Sequence, residues 1–237
     1  MNHVVATALP GIPLVAAGDD LIALTLQGLD AAGIDLSGGD VLVFASKIIA
    51  KAEGRTVRLS TVRPSPAARE VARACDKDPR VVELILSEAN EVLRIRPGLI
   101  VVEHRLGFVC ANAGIDHSNL DGDADVVLLL PEDPDASAQR LAAGLMTATG
   151  VDVAVVINDS HGRAWRLGTV GVAIGVAGLL PVTDLRGRPD LFGHTLQVTV
   201  LGTADEIAAA ASLLQGAAAE RSPIIHLAGS PHWAGAG

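Results

Sequence analysis

Residues 151–157, Val-Asp-Val-Ala-Val-Val-Ile, and the residues directly after them limit most what this chain can fold into. A run that is β-branched and almost wholly apolar reads as a strand covered on both faces, because a strand with one wet face would alternate. Such a strand needs cover on either side, which suits a mixed α/β chain. The run stops at Asn158, Asp159, Ser160 and His161, with Arg163 and Arg166 close behind. A carboxylate, a hydroxyl and two guanidinium groups around one strand end suit a metal ion and a phosphate. They also fit an ordinary strand-to-turn exit in which Asn and Asp cap the turn.

The core has to be built from Val, Leu, Ile and Ala, since the 237 residues include only three Phe, two Trp and no Tyr. A chain of this length can bury a sizeable core as one large domain or two small ones. The net charge of −9 argues against non-specific nucleic-acid binding, which needs a broad basic surface. Cys75 and Cys110 stand apart from any Cys-x-x-Cys or Cys/His ligand cluster and read as reduced thiols. Pro10, Gly11 and Pro13 break the apolar start, so a secretory leader is not expected, and the glycine-dense passage 167–183 is too short and interrupted to span a bilayer. A soluble cytoplasmic protein is the expectation.

In chain order, the pattern predicts a strand over 4–9 and a rigid Pro-Gly-Ile-Pro-Leu loop. A helix over 21–32 follows Asp19 and Asp20, with Gly33 ending it, and then a strand over 41–44 opened by Asp40. That strand runs into Ser46, Lys47 and Lys51. Lys47 and Lys51 lie one helical turn apart, where a helix start and two ammonium groups could meet a phosphate or simply face water. Further helices are predicted over 66–75 and 79–87, strands over 90–95 and 99–104, and a strand from 109 that ends in Gly114-Ile-Asp116-His117-Ser-Asn119. Asp121, Asp123 and Asp125 read as a solvated loop, since the spacing lacks the glycine and distal Glu of a calcium loop. A strand over 126–130 follows, then a helix to about 148 capped by Asp135 and Ser137 and ended by Gly150. Later come an alternating strand over 195–201, an Ala-rich helix over 204–214 and a strand over 224–227.

Ser46, Asp116 and Asp159 are thus three strand ends carrying oxygen donors, a set that selects Mg²⁺ or Mn²⁺ over zinc. Neither a Walker phosphate loop nor a dinucleotide Gly-x-Gly-x-x-Gly is present. At these residues the chain resembles the coenzyme F-420-0:L-glutamate ligases, or gamma-glutamyl ligases. The matching blocks are Leu-Pro-Gly-Ile-Pro-Leu, Gly-Asp-Val-Leu-Val-Phe-Ala-Ser-Lys, Asn-Ala-Gly-Ile-Asp-His-Ser-Asn, Leu-Pro-Glu-Asp-Pro-Asp-Ala-Ser-Ala, Ile-Asn-Asp-Ser-His-Gly-Arg-Ala-Trp-Arg, Gly-Val-Ala-Ile-Gly-Val-Ala-Gly and Ala-Asp-Glu-Ile-Ala-Ala-Ala-Ala. They stand in the family's order across residues 9–230.

The resemblance implies a mixed α/β fold of unusual topology, one gamma-glutamyl ligase domain with two subdomains and no C-terminal flavin-binding domain, and a homodimer. It implies GTP-dependent addition of L-glutamate to the carboxylate of the deazaflavin coenzyme F-420-0 through an acyl phosphate, with two divalent cations (Mg²⁺ or Mn²⁺) and a monovalent cation (K⁺). By the same resemblance Ile12, Pro13, Leu14, Val15, Ser46, Lys51 and Asn119 line the GTP site. Asp116 and Asp159 are catalytic and hold one metal, facing each other across a few ångströms, and Ser160 holds the second. Two departures stand out. Ser160 keeps the hydroxyl of the Thr frequent in relatives, and Ala217 replaces an acidic or amide ligand that some relatives carry after the helix end. Arg163, Arg166, Arg186 and Arg188 are candidates for the anionic parts of the substrate. The same nucleotide and metal site would also serve another carboxylate–amine ligase, a phosphotransferase, or a GTP-binding regulator without catalysis.

Overall fold

A computed structural model describes residues 3–116, 123–162 and 164–229. In chain order its elements are β1 (Val5–Ala8), α1 (Leu21–Ala32), β2 (Val41–Ala45), α2 (Ser46–Ala52), β3 (Thr56–Arg58), α3 (Pro66–Cys75), α4 (Pro79–Ser87), β4 (Ala89–Arg96), β5 (Leu99–His104), β6 (Val109–Ala111), β7 (Val126–Leu128), α5 (Pro134–Thr149), β8 (Ala154–Gly162), β9 (Thr169–Ala177), β10 (Thr183–Asp184), β11 (Val200–Leu201), α6 (Thr203–Gln215) and β12 (Ile224–Ala228). They form two compact units. The first takes residues up to 49, 133–160 and from 170 on, and the second takes 50–132 and 161–169. The fold is mixed α/β, as expected.

The first unit is organised on a five-stranded sheet of order β1-β12-β2-β8-β9. Its central pair, β2 and β8, is parallel, with Val43 opposite Val156 and Ala45 opposite Asn158. β12 joins β2 antiparallel on the other side, and β1 closes that edge. Both faces of the centre are dry: Leu42, Val43, Phe44, Val155, Val156 and Ile157 have no exposed surface. That is the two-faced strand which the run 151–157 predicts. One face, made by Val41, Val43, Ala154, Val156, Ile225 and Leu227, packs on Ala204, Ile207, Ala208 and Ala211 of α6. On the opposite alternation, His226 Nε2 and Asp40 Oδ2 form a buried 2.8 Å contact that ties β12 to the start of β2.

Glycine sets how closely some of these layers approach. A Cβ on Gly175 of β9 would lie 2.5 Å from the backbone of Pro134, the first residue of α5, so only the bare backbone admits that helix end. Gly28 of α1 similarly leaves room for Leu9 and the Ile12 side chain.

In the second unit β4, β5 and β6 form a three-stranded sheet, and β3 pairs with β7. α3 and α4 supply Ala68, Ala72, Cys75, Val81, Val82 and Ile85, which pack with Ile100, Val102 and Cys110. Both cysteines are buried and neither is in a disulfide. Among the described residues no helix is long and apolar enough to cross a membrane.

Three predicted features differ. β8 does not stop at Asn158 but runs to Gly162, because a ladder needs only backbone groups and β9 provides them. α5 is capped by Asp133, whose carboxylate accepts from Ala136 N at 2.9 Å, with Pro134 at the first helical position. Asp135 instead accepts from Val176 N of β9 at 2.8 Å, and the Ser137 hydroxyl donates back to Asp133 O. The predicted strand over 195–201 shrinks to β11, paired with β10 over two positions, and an isolated bridge between Pro189 and Thr195.

Candidate active site at the strand ends

The parallel register of β2 and β8 fixes what meets beyond the sheet. Since Ala45 lies opposite Asn158, the next residues along are Ser46 and Asp159, on the alternation of Phe44 and Ile157. The Ser46 hydroxyl donates to Asp159 Oδ1 at 2.7 Å. Ser46 is buried, Asp159 half-buried and Ser160 exposed, so a carboxylate with one lone pair already directed stands at the edge of a dry layer. Such a group presents a preset oxygen to a cation. The sequence marked both residues but could not pair them, because they are 113 positions apart.

The predicted nucleotide residues of the first unit lie in the loop between β1 and α1. Val15 is buried, Ile12 is half-buried against Gly28, and Pro13 and Leu14 are exposed. The loop is held at its far end by Asp19 Oδ2, which accepts from Ala16 N at 2.8 Å, while Asp20 caps α1 by accepting from Ile22 N and Ala23 N. Lys47 and Lys51 both lie on α2 and both are half-buried. At the end of α6, Ala217 is exposed and has no donor side chain, and Glu220 folds back so that its Oε2 accepts from Ala218 N at 2.8 Å.

Asp116 and Lys51 belong to the second unit, Ser46, Asp159 and Ser160 to the first. Asp116 is half-buried, and its backbone bridges Leu128, donating at 3.0 Å and accepting at 2.9 Å. The turn before it, Asn112-Ala113-Gly114, has three consecutive left-handed residues, and a Cβ on Gly114 would meet Leu130 at 2.7 Å. Asn119 and Arg163 lie outside the described residues. Arg166 and Arg188 are exposed, and Arg186 is held by Asp184 at 2.9 and 2.6 Å.

One buried cluster of the second unit was not singled out from the sequence. Glu88 accepts from Arg55 Nη2 at 2.9 Å and Arg105 Nε at 2.8 Å. The same arginines donate to Leu130 O and Glu132 O, which anchors the segment after β7. His104 lies against Glu88, stacked on Phe108, and Phe108 in turn meets His161. Burial pushes the His104 pKa down to about 4. No periodicity announces such a cluster, since its members come from β5, the end of α4, the end of β8 and two loops.

Chains similar to this one are known. The model of the F420-0:Gamma-glutamyl ligase family matches residues 11–229. A protein of Methanothermobacter thermautotrophicus named coenzyme F420:L-glutamate ligase is 48% identical over 93% of this chain and 87% of its own length. Proteins of the same name from Methanopyrus kandleri and Archaeoglobus fulgidus are 45% and 43% identical, over 89% and 92% of this chain and 81% and 85% of their own. The family match spans the loop at 12–15, the Ser46 and Asp159 strand ends and the turn before Asp116, and by it and by the identity to these relatives the chain belongs to the F420-0:gamma-glutamyl ligase family.

Proposed function

We propose that this chain joins L-glutamate to the carboxylate of coenzyme F-420-0 with GTP as phosphoryl donor, and that further γ-linked glutamates are added at the same site. What carries the reading is the 48% identity, over nearly the whole chain, to a protein named for glutamate ligation to this cofactor. The Ser46–Asp159 pair at adjacent parallel strand ends supports it.

A carboxylate is a poor electrophile at neutral pH and has to be activated. Its oxygen attacks the γ-phosphorus of GTP, GDP leaves with the bridging oxygen, and an acyl phosphate results. The neutral amine of glutamate then attacks the acyl carbon, the C–O bond to phosphate breaks, and inorganic phosphate departs as the amide nitrogen loses its proton to water. No side-chain nucleophile is required; positioning and charge neutralisation are. Ile12, Pro13, Leu14, Val15, Ser46, Lys51 and Asn119 take the nucleotide in this reading, Lys51 as a point charge on phosphate. Asp116 and Asp159 ligate one divalent cation and Ser160 a second.

The donor set suits such ions. Asp159 and Ser160 offer hard oxygens, Asp116 a further carboxylate, and Mg²⁺ is ordinarily held by one or two carboxylates, waters and substrate phosphates. In this reading the phosphates of the nucleotide and water complete the shell. When bound, Mg²⁺ or Mn²⁺ neutralises phosphate charge and aligns the reacting oxygens, with K⁺ as a monovalent helper. The chain works in the cytoplasm as a homodimer, and the segment 180–201 supports the second copy. It exposes Leu180, Val182, Leu191, Phe192, Val198 and Val200 on a two-stranded arm, and such a pair is marginal in water without cover.

The test is to incubate the protein with F-420-0, GTP, L-glutamate and Mn²⁺, and to follow the acceptor mass and GDP together. One glutamyl unit gained per GDP formed is the expected result. GDP formation without glutamylation, or glutamylation equally fast without GTP, would overturn it.

A further inference from the structure

The sheet face under α6 is apolar until it reaches the strand ends, where it changes character. Along β8 the inward series is Ala154, Val156 and then Asn158; along α6 it is Ile207, Ala211 and then Gln215, each one helical turn on. The two amides meet. Gln215 Nε2 donates to Val43 O of β2 at 3.4 Å and to Pro223 O, just before β12, at 3.2 Å, and its Oε1 accepts from Asn158 Nδ2. Two carbonyls on one end of the glutamine fix that end as nitrogen, which in turn fixes Asn158 with its nitrogen towards Gln215.

The Asn158 oxygen therefore points away from the glutamine. It is buried with no hydrogen-bond partner among the described residues, and a Cβ on Gly171 of β9 would lie 2.7 Å from it. The side chain is thus gripped by Gln215 on one side and fills the space left by a missing Cβ on the other. An all-apolar end to this layer would avoid burying an oxygen without a partner among the described residues. A polar residue kept there, next in sequence to Asp159, calls for a geometric reason.

We propose that Asn158, locked by Gln215 and Gly171, is a positioning residue that sets the orientation of β8 at its end and so holds the Asp159 carboxylate against Ser46. The inference rests on the reading of Asp159 and Ser46 as site residues. Through Gln215 the amide ties β8 to β2, the strand that delivers Ser46, and to the entry of β12. A slip of either strand end would move the carboxylate away from the hydroxyl. Misplacement on the scale of 1 Å can cost on the order of 100-fold in rate.

The experiment compares wild type, Asn158→Leu and Gln215→Met. In a crystal structure of metal-free Asn158→Leu, the Ser46 Oγ to Asp159 Oδ1 separation is expected to open beyond hydrogen-bond reach. Its kcat for glutamylation should fall on the order of 100-fold, at a temperature where circular dichroism shows it folded. Gln215→Met should lower kcat in the same direction by a smaller factor. In both variants KM for L-glutamate should stay within about threefold of wild type, a split from kcat that a general loss of structure would not give.

Retention of the 2.7 Å contact with kcat within about threefold of wild type would overturn the inference. If Asn158→Leu does not fold, wild-type kcat in Gln215→Met would do the same. The two readings fail separately. A wild-type chain that adds no glutamate refutes the proposed function, while an active wild type with equally active variants refutes the positioning role alone.

Discussion

Acidification should loosen the second unit through His104. The imidazole has no exposed surface, and its Nδ1 accepts from Leu106 N at 3.1 Å, which leaves the proton of the neutral ring on Nε2. The ring lies parallel to Phe108 at 5.1 Å between centroids. Burial is the main reason its pKa drops to about 4; Glu88 opposes the drop, and Arg105, His161 and Arg55 add to it. In an unfolded chain a histidine titrates near 6.5. The folded pKa lies below the unfolded one, so on acidification the unfolded chain takes up the proton first and is favoured. The full stability is present above about pH 6.5 and is lost progressively as pH falls towards about 4. At pH 5 the two titrations differ by about 2 kcal/mol, and below pH 4 by about 3 kcal/mol. Urea unfolding at pH 7 and pH 5, followed by hydrogen exchange at amides of α4 and β5, reads this unit directly. His104→Asn keeps an acceptor for Leu106 N without a titrating ring. The wild type should lose about 2 kcal/mol more than this variant between the two pH values. Equal losses would refute the assignment of the effect to His104.

Lys51→Ala should weaken GTP binding on the order of tenfold to 100-fold, the loss of one charge-assisted contact to phosphate. Lys47→Ala, one turn away on α2, is the control, and calorimetric titration of both decides: equal affinities for wild type and Lys51→Ala would remove Lys51 from the site. Light scattering at micromolar concentration should give the mass of a dimer. Phe192→Asp, a charge on the exposed arm, should shift the protein to monomer without unfolding it; a monomeric wild type would contradict the arm as a self-association surface.

The helix ends were the most legible part of the chain because their chemistry is local. Asp20 and Gly33 bracket α1, Ser65 with Pro66 opens α3, and Asp78 with Pro79 opens α4, each within a few residues of the side chain that sets it. The start of α5 follows the same rule, but Pro131-Glu-Asp-Pro134 offers two prolines, and placing both in the loop moves the cap two residues too far. The arm misled for a different reason. Alternation over 195–201 marks which side chains share a face, but a ladder also needs a partner in register, and among the described residues only β10 supplies one, over two residues.

The site shows where reading along a chain runs out. The sequence marks Ser46 and Asp159 as polar residues after apolar runs, yet their pairing follows from a parallel register between strands more than a hundred residues apart. Once that register is known, alternation does the rest. Val43 and Val156 face α6, so Ala45 and Asn158 do too, and Ser46 and Asp159 fall on the other side. The strand end therefore separates two tasks by one residue. Position 158 faces the helix and can be locked by packing and hydrogen bonds, while position 159 stands half-buried at the dry edge, against the Ser46 hydroxyl. A polar residue that breaks an apolar stripe at its last turn, as Gln215 does on α6, is the signal in the sequence that could have pointed to Asn158. Its weight is visible only beside the strand it grips.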